Sequence, residues 1–328
     1  MRAVVNHEYG PPTVLQFIDI EKPTPGPGEV LIRVRAVAVT SEESTFRKGD
    51  QLKARLGVTG LFRPKHPNLG ICLSGEVEAV GENVTRFHKG DEVYGESMHG
   101  GANAEYISLP EQETLALKPA GLTHEEAAGI SGGALTALPF LRDVGGIQKG
   151  QSVLVYGASG SVGTAAVQFA RHFGATVTGV CSTANVELVR SLGAQHVIDY
   201  TKEDFAKGNE QYDIIFDAVG MSSFSRCRRA LKPAGVYLTT VPTFGLLFQM
   251  LRTSIVGSRT AKITFTGLRP PAERVKDLDL LHDLVDAGTY RPVIDRTYPF
   301  DEIVEAHRYV DSGRKKGNVV VTVAGEAI

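Results

Sequence analysis

The run Ala158-Ser159-Gly160-Ser161-Val162-Gly163 joins an apolar segment, residues 152–156, to a stretch of small residues opening at Thr164. Strand, glycine-rich turn and helix in that order leave backbone N–H groups unpaired at the helix start. Those donors and the positive end of the helix dipole suit a pyrophosphate. Gly160 lets the backbone approach the phosphate, and Gly163 lets the helix pack closely on the strand. Ala158 stands where the first glycine of G-x-G-x-x-G usually falls. A glycine spacing alone is weak, because an ordinary strand–turn–helix joint uses the same residues. Here residues 175–181 supply a second strand after a helix over 164–173, giving a βαβ unit of ~30 residues.

A second chemical choice falls at the end of that second strand. An acid there, ~20 residues past the glycines, accepts from a ribose 2′-hydroxyl and repels a 2′-phosphate. This chain reads Cys181-Ser182-Thr183-Ala184-Asn185, with no acid. The hydroxyls of Ser182 and Thr183 are possible phosphate donors. The missing acid favours NADPH over NADH, although no Arg or Lys stands in the loop to pair with the phosphate. Cys72, Cys181 and Cys227 show neither metal nor disulfide spacing and read as small buried residues. The nine histidines are scattered.

The elements that must carry these residues fall into two blocks, as a length of 328 residues leads one to expect. Five strands, over 2–6, 13–20, 29–38, 75–80 and 104–108, with Pro, Gly and Asn between them, predict a compact β-barrel-like domain. The irregular segment 49–68 carries Lys53, Arg55, Arg63 and Lys65; it reads as a loop over a cleft or as a solvated excursion. From Thr123-His124-Glu125-Glu126, a capping-box-like start, strands and helices alternate, which predicts a doubly wound parallel sheet. The run Arg226, Arg228, Arg229 and Lys232 reads as a solvated helix face. Residues 244–251 read as a buried helix or as the lining of an apolar cleft. After Lys262 the pattern is strand 263–268, helix 272–287, strand 293–298, helix 301–312 and strand 318–323, the last strands returning to the first domain. The expected domains are therefore 1–122 with 263–328, and 123–262 between them.

With 42% hydrophobic and 22% charged residues, the composition is that of an ordinary globular protein. A net charge of −2 gives no reason to expect nucleic acid or an acidic membrane as partner. No run of ~18 apolar residues spans a membrane, and no apolar segment of signal-peptide type opens the chain. A cytoplasmic setting is the expectation.

Taken together, Gly26-Pro27-Gly28-Glu29, Gly90-Asp91-Glu92-Val93-Tyr94-Gly95, Ala104-Glu105-Tyr106, the 158–163 run, Asp199-Tyr200 and Phe216-Asp217-Ala218-Val219-Gly220 resemble the medium-chain dehydrogenase/reductase superfamily. More narrowly they resemble its zinc-independent, quinone oxidoreductase-like branch. The resemblance implies an α/β fold, a Rossmann-type doubly wound parallel sheet plus a β-rich GroES-like domain. It implies a nicotinamide cofactor and a hydride passed to a small-molecule electron acceptor, a quinone or an α,β-unsaturated carbonyl. The family's zinc ligands would fall near Thr40, Ser41 and Ile71, none of which is a ligand of the expected kind, so no metal is expected. Relatives commonly carry Asn-Pro at Thr40-Ser41 and many an Asp at Cys72, departures that point to an unusual substrate or to lost activity.

By resemblance, Thr136 and the loop Ser159, Gly160, Ser161, Val162 and Gly163 serve the cofactor phosphates, and Tyr200 reaches the 2′-phosphate. Val219 and Val241 lie by the nicotinamide or its ribose through backbone groups, and Asn318 contacts cofactor. Thr40 faces the nicotinamide ribose at the substrate end, where Lys53 is the other candidate; no proton donor is assigned. For Thr40 a buried hydroxyl bonded to its own backbone is as good a reading, and for Asn318 a turn residue before the last strand. Relatives pair an edge strand across a dimer axis, here near Ile263–Thr266, so a homodimer is expected. An enoyl-thioester reductase and a weakly catalytic NADPH-binding sensor remain alternatives.

Overall fold

The computed structural model describes residues 1–50, 60–65 and 67–323. In chain order the first elements are β1 (Arg2–Val5), β2 (Gln16–Asp19), β3 (Glu29–Val39), α1 (Ser41–Lys48), β4 (Cys72–Val80), β5 (Glu92–Glu96), β6 (Tyr106–Pro110) and β7 (Thr114–Leu117). There follow α2 (His124–Pro139), β8 (Ser152–Tyr156), α3 (Ser161–His172), β9 (Thr176–Cys181), α4 (Val186–Ser191), β10 (His196–Asp199) and β11 (Tyr212–Asp217). The rest are α5 (Phe224–Cys227), β12 (Leu231–Thr239), α6 (Phe244–Ile255), β13 (Thr260–Lys262), α7 (Pro271–Asp286), β14 (Ile294–Pro299), α8 (Ile303–Asp311) and β15 (Asn318–Thr322).

Two compact units result. One holds Met1–Gly132, Pro270–Ala287 and Pro292–Ile328; the other holds Gly133–Arg269 and Gly288–Arg291. Against boundaries expected at 122/123 and 262/263, the divisions lie at 132/133 and 269/270. The start of α2 is bound into the first unit, with His124 Nδ1 2.8 Å from Ser74 Oγ and Ser131 Oγ donating to the Gly95 carbonyl at 3.2 Å. Residues 262–269 are tied into the second, where Lys262 Nζ donates to the Val144 carbonyl and Arg269 lies 3.8 Å from Asp143.

The second unit is a six-stranded, wholly parallel sheet in the order β10-β9-β8-β11-β12-β13. Its central strand β8 reads Ser-Val-Leu-Val-Tyr with Val153, Leu154 and Val155 fully buried, as expected where helices cover both sheet faces. The strand order reverses between β9-β8 and β11-β12, which opens a crevice at the carboxyl ends of β8 and β11. The first unit is a seven-stranded sheet, β14-β15-β3-β4-β5-β7 with β6 also on β3, beside the β1-β2 pair. Ile32, Leu73, Val77, Leu115, Ile303 and Val319 form its core.

Three elements differ from the sequence reading. Residues 263–268 are not a strand: β13 is Thr260–Lys262, and 266–268 form a tight helical turn. The cause is register, because Leu238 pairs with Lys262 and β12 ends one residue later, leaving no partner beyond. The basic helix shrinks to the four residues of α5, since Leu231 already opens β12. Residues 244–251 do form a helix, but its apolar face is exposed rather than buried.

A buried polar cluster fixes α1. Thr40 caps the helix, its Oγ1 accepting from Glu43 N–H at 3.0 Å. Glu43 and His307 are both fully buried, Glu43 Oε1 accepts from Asn103 Nδ2 at 2.5 Å, and Arg47 pairs with Asp311 at 2.7 Å. His307 Nε2 stands 3.6 Å from Glu43, too far for a hydrogen bond. Burial pushes the Glu43 carboxyl up to about 7 and the His307 imidazole down to about 3.

The two shifts act on stability with opposite sign. Glu43 contributes a term that is present at low pH and lost as pH rises through about 7, because the fold favours its protonated form. His307, neutral in the fold, contributes a term lost as pH falls from the ordinary histidine range toward about 3. In chemical denaturation the Glu43→Gln variant should gain stability over wild type by about 3 kcal/mol between pH 4.5 and 7. The His307→Phe variant should lose stability relative to wild type as pH rises from 3 to 6.5.

Candidate active site

The glycine-rich loop leads into the N-terminal end of α3, which no side chain caps. Gly157 and Ala158 donate to the Val180 carbonyl at 3.1 and 3.0 Å, which anchors the loop to β9. Gly157 has φ +81°, and a β-carbon there would fall 2.6 Å from Val219 Cγ1. A β-carbon on Gly163 would fall 2.1 Å from the Gly157 carbonyl oxygen, so only glycine lets α3 run this close to the end of β8. Gly160 is the residue before α3, with ordinary extended backbone and no side chain to cap the helix. Its β-carbon would meet only the Gly157 oxygen, at 3.6 Å. Thr164 N–H to the Gly160 carbonyl, 2.8 Å, is the first bond of the helix, so the amides of Ser161, Val162 and Gly163 precede the helical ladder. Gly133 of α2 abuts Ser161, whose oxygens lie 2.6 Å from the Gly133 β-position; Thr136 follows one turn on, half-buried.

A polar rim flanks this end. Asn185 Nδ2 donates to Ser159 Oγ at 2.9 Å and to Ser182 Oγ at 3.3 Å. The Asn185 Oδ1 atom is buried with no hydrogen-bond partner. Sequence reading had noted Asn185 only as not being a cation; its place just before α4 is the signal that could have drawn attention to it. Thr183 does not match its expected role. Its hydroxyl donates to Asp199 Oδ2 at 2.5 Å, and it has no second proton for a phosphate. Asp199 also accepts from Thr201 Oγ1 at 2.7 Å and lies 3.2 Å from Lys202 Nζ. These bonds, that from Thr183 foremost, hold its carboxyl far below the usual range. An acid does stand beside the end of β9, on the neighbouring strand, since Asp199 is the register partner of Cys181, but its oxygens are engaged by Thr183, Thr201 and Lys202. Tyr200, next along, is exposed.

Across the crevice, the fully buried Asp217 organises the turn after β11. It accepts from the amides of Val219, Gly220 and Ser222 at 3.2, 2.8 and 2.7 Å and from Tyr237 Oη at 3.1 Å. The Val219 amide is therefore taken. The Val219 side chain packs over Gly157, and that of Val241 over Gly220, where a β-carbon would meet it at 2.4 Å. Gly157, Val219 and Val241 thus meet at the carboxyl ends of β8, β11 and β12.

In the first unit, Gly129 and Gly132 on α2 admit three expected residues to one helix face. The β-position of Gly129 is 3.4 Å from Asn318 Cβ, and that of Gly132 is 3.2 Å from both Cys72 Sγ and Thr40 Cγ2. Asn318 is buried as the first residue of β15, its Nδ2 donating to the Val293 carbonyl at 3.1 Å. Cys72 is buried 3.8 Å from Glu96, and burial pushes its thiol up to about 12. Glu96 is in turn paired with the buried Arg274. Lys53 lies outside the described residues.

Two family models match the chain: Alcohol dehydrogenase GroES-like domain over residues 26–120 and Zinc-binding dehydrogenase over 192–321. The NAD(P)H oxidoreductase RTN4IP1, mitochondrial, of Mus musculus is 36% identical, over 98% of this chain and 89% of its own. The chain belongs to the medium-chain dehydrogenase/reductase superfamily. The NADPH-dependent alkenal/one oxidoreductase, chloroplastic, of Arabidopsis thaliana is 32% identical over 98% of this chain and 79% of its own. A solved structure titled as the quinone oxidoreductase from Coxiella burnetii superposes with a TM-score of 0.85 at 27% identity, covering 99% of each chain. As a member of the quinone oxidoreductase-like branch, the chain is an oxidoreductase that uses a nicotinamide cofactor and acts on a small molecule.

The residues present fit a dinucleotide: an open helix end, a glycine through which the backbone is reachable, and an orphaned polar oxygen on the rim. They do not fit the zinc that one family name carries. Thr40 and Ser41 offer only hydroxyls and Ile71 offers nothing, which is not the nitrogen and sulfur set that zinc takes. Among the described residues no group of three His, Cys, Asp or Glu is placed to hold a metal ion.

The glycines predict separable defects. Gly160→Val should keep the melting temperature within a few degrees while raising the NADPH dissociation constant ~10-fold or more by calorimetry. Gly163→Val should lose ~3 kcal/mol or more of stability in denaturant melts, through overlap with the Gly157 carbonyl.

Proposed function

We propose that this protein is an NADPH-dependent reductase that passes hydride to quinones or α,β-unsaturated carbonyl compounds without a metal ion. The rim of Ser159 and Ser182 carries this reading: each hydroxyl accepts from Asn185 Nδ2 and keeps its own proton to donate, and no β9 carboxylate stands where a 2′-phosphate would rest. Asp199 is the opposing charge, and Lys202 offsets it. Two relatives with NADPH or NAD(P)H in their names support the cofactor, and the alkenal/one and quinone relatives support the acceptor class.

Bound NADPH supplies the hydride, so the protein has to orient and stabilise rather than react. We assign the pyrophosphate to the amides at the start of α3 with Ser159 and Ser161, and place Thr136 beside them. Tyr200 closes the 2′-phosphate side. Val219 and Val241 wall the nicotinamide end, and Asn318 adds a polar contact. Hydride arrival leaves negative charge on the acceptor's oxygen, which needs a donor. Thr40 Oγ1 accepts from Glu43 N–H, and its own proton has no acceptor among the described residues. That O–H is the donor we assign, with solvent completing protonation. Among the described residues zinc has no donor set, and no step is routed through it.

We also read the chain as a cytoplasmic homodimer, its three cysteines being free and buried. The edge we assign to the dimer moves from 263–266 to β13, the outermost strand of the parallel sheet.

An oxidation screen over quinones, enones and enoyl thioesters tests the assignment. NADPH should be consumed with quinones or enones; preference for crotonyl thioesters, or tight binding without turnover, would contradict it. Asn185→Asp should weaken NADPH ~10-fold and NADH far less, by like-charge repulsion at the 2′-phosphate. Thr40→Val should lower kcat ~10–100-fold with the NADPH dissociation constant unchanged. Light scattering at micromolar concentration should give twice the chain mass.

A further inference from the structure

Between Asp217 and Glu273 the sequence has no acidic residue and eight basic ones, in a chain whose net charge is −2. Three of the eight reach carboxylates: Arg226 to Asp204 at 2.9 Å, Lys232 to Asp213 at 2.7 Å and Arg269 to Asp143 at 3.8 Å. Arg228, Arg229, Arg252, Arg259 and Lys262 have no carboxylate partner among the described residues. Arg228, Arg252 and Arg259 line one open groove between α5 and the end of α6, together with Ser225, Gln249 and Ser258. Of these three, only Arg259 has a protein acceptor among the described residues, the Leu231 carbonyl at 2.7 Å from its Nε.

The helix that forms one wall of this groove is turned apolar side out. Leu246 and Thr253 are buried and Met250 packs on the core. Phe244, Phe248, Leu251 and Ile255 are 74, 65, 64 and 75% exposed. Their spacing, i, i+4, i+7 and i+11, makes one continuous stripe along α6. A folded chain that leaves such a stripe bare has a surface for it to enter.

We propose that α6 and the arginine groove dock on an anionic lipid bilayer. The stripe enters the boundary between headgroups and acyl chains, and Arg228, Arg252 and Arg259 take lipid phosphates. An apolar stripe bordered by unpaired cations, with no acid in the whole segment, is the pattern of a helix that lies in a membrane interface. A second copy is the poorer occupant, because an interface that pairs this patch with itself brings more cations and no carboxylate from the segment to meet Arg228 and Arg252. The chain's small net charge averages the patch away, which is why composition pointed to no membrane. This docking does not depend on which acceptor is reduced.

Sedimentation with unilamellar vesicles tests it, using phosphatidylcholine alone and phosphatidylcholine carrying phosphatidylglycerol. The wild-type protein should pellet with the anionic vesicles, stay in solution with the neutral ones, and release as salt rises. Arg228→Gln and Arg252→Gln should each weaken partition about fivefold. Phe248→Ser with Leu251→Ser should abolish it while leaving NADPH binding intact. Equal binding to both vesicles, binding to neither, or a stripe variant that changes oligomeric mass without changing vesicle binding would each overturn the proposal.

Discussion

The 2.1 Å between the Gly157 carbonyl oxygen and the place where a Gly163 β-carbon would stand sets the geometry of the whole nucleotide end. Only because that space is empty does α3 start hard against the end of β8, with its first amides at an open mouth. The same loop is held from the other side. Gly157 adopts φ +81°, its amide and that of Ala158 share the Val180 carbonyl, and Val219 covers its α-carbon. Val219 in turn depends on Asp217, a buried carboxylate whose charge is met by three backbone amides and a tyrosine hydroxyl. Each contact makes the next one necessary.

Polar groups do the equivalent work in the first unit. Thr40 is placed by its own capping bond to Glu43, and Glu43 by Asn103. Cys72 and Asn318 reach the α2 face because Gly132 and Gly129 leave room. These are positioning devices built from neutral or neutralised groups, which suits a reaction whose reactive atom belongs to the cofactor.

Much of this was legible in the sequence, for reasons that differ by element. The β8–α3–β9 unit was clear because its apolar runs, glycine spacing and second strand report one geometry. The start of α2 was clear because Thr123 and Glu126 do exchange capping bonds, at 3.1 and 3.2 Å. Asp199 was missed as a neighbour of the ribose loop because a cross-strand register, not a spacing along the chain, brings it to Cys181. Thr183 was misjudged for the same reason: its hydroxyl is consumed by an acid sixteen residues away. The strand expected at 263–268 failed because alternation reports which residues favour a sheet, not whether a partner strand is long enough. In α6 the periodicity was readable, but no sequence pattern says whether the apolar side of a helix has something to cover it.

Cofactor binding as proposed depends on the amides at the start of α3 holding the pyrophosphate. Amide NMR of the labelled protein, titrated with NADPH, measures this directly. The Ser161, Val162 and Gly163 signals should shift most and become protected from solvent exchange as the cofactor saturates. Saturation that leaves those three resonances in place would contradict it.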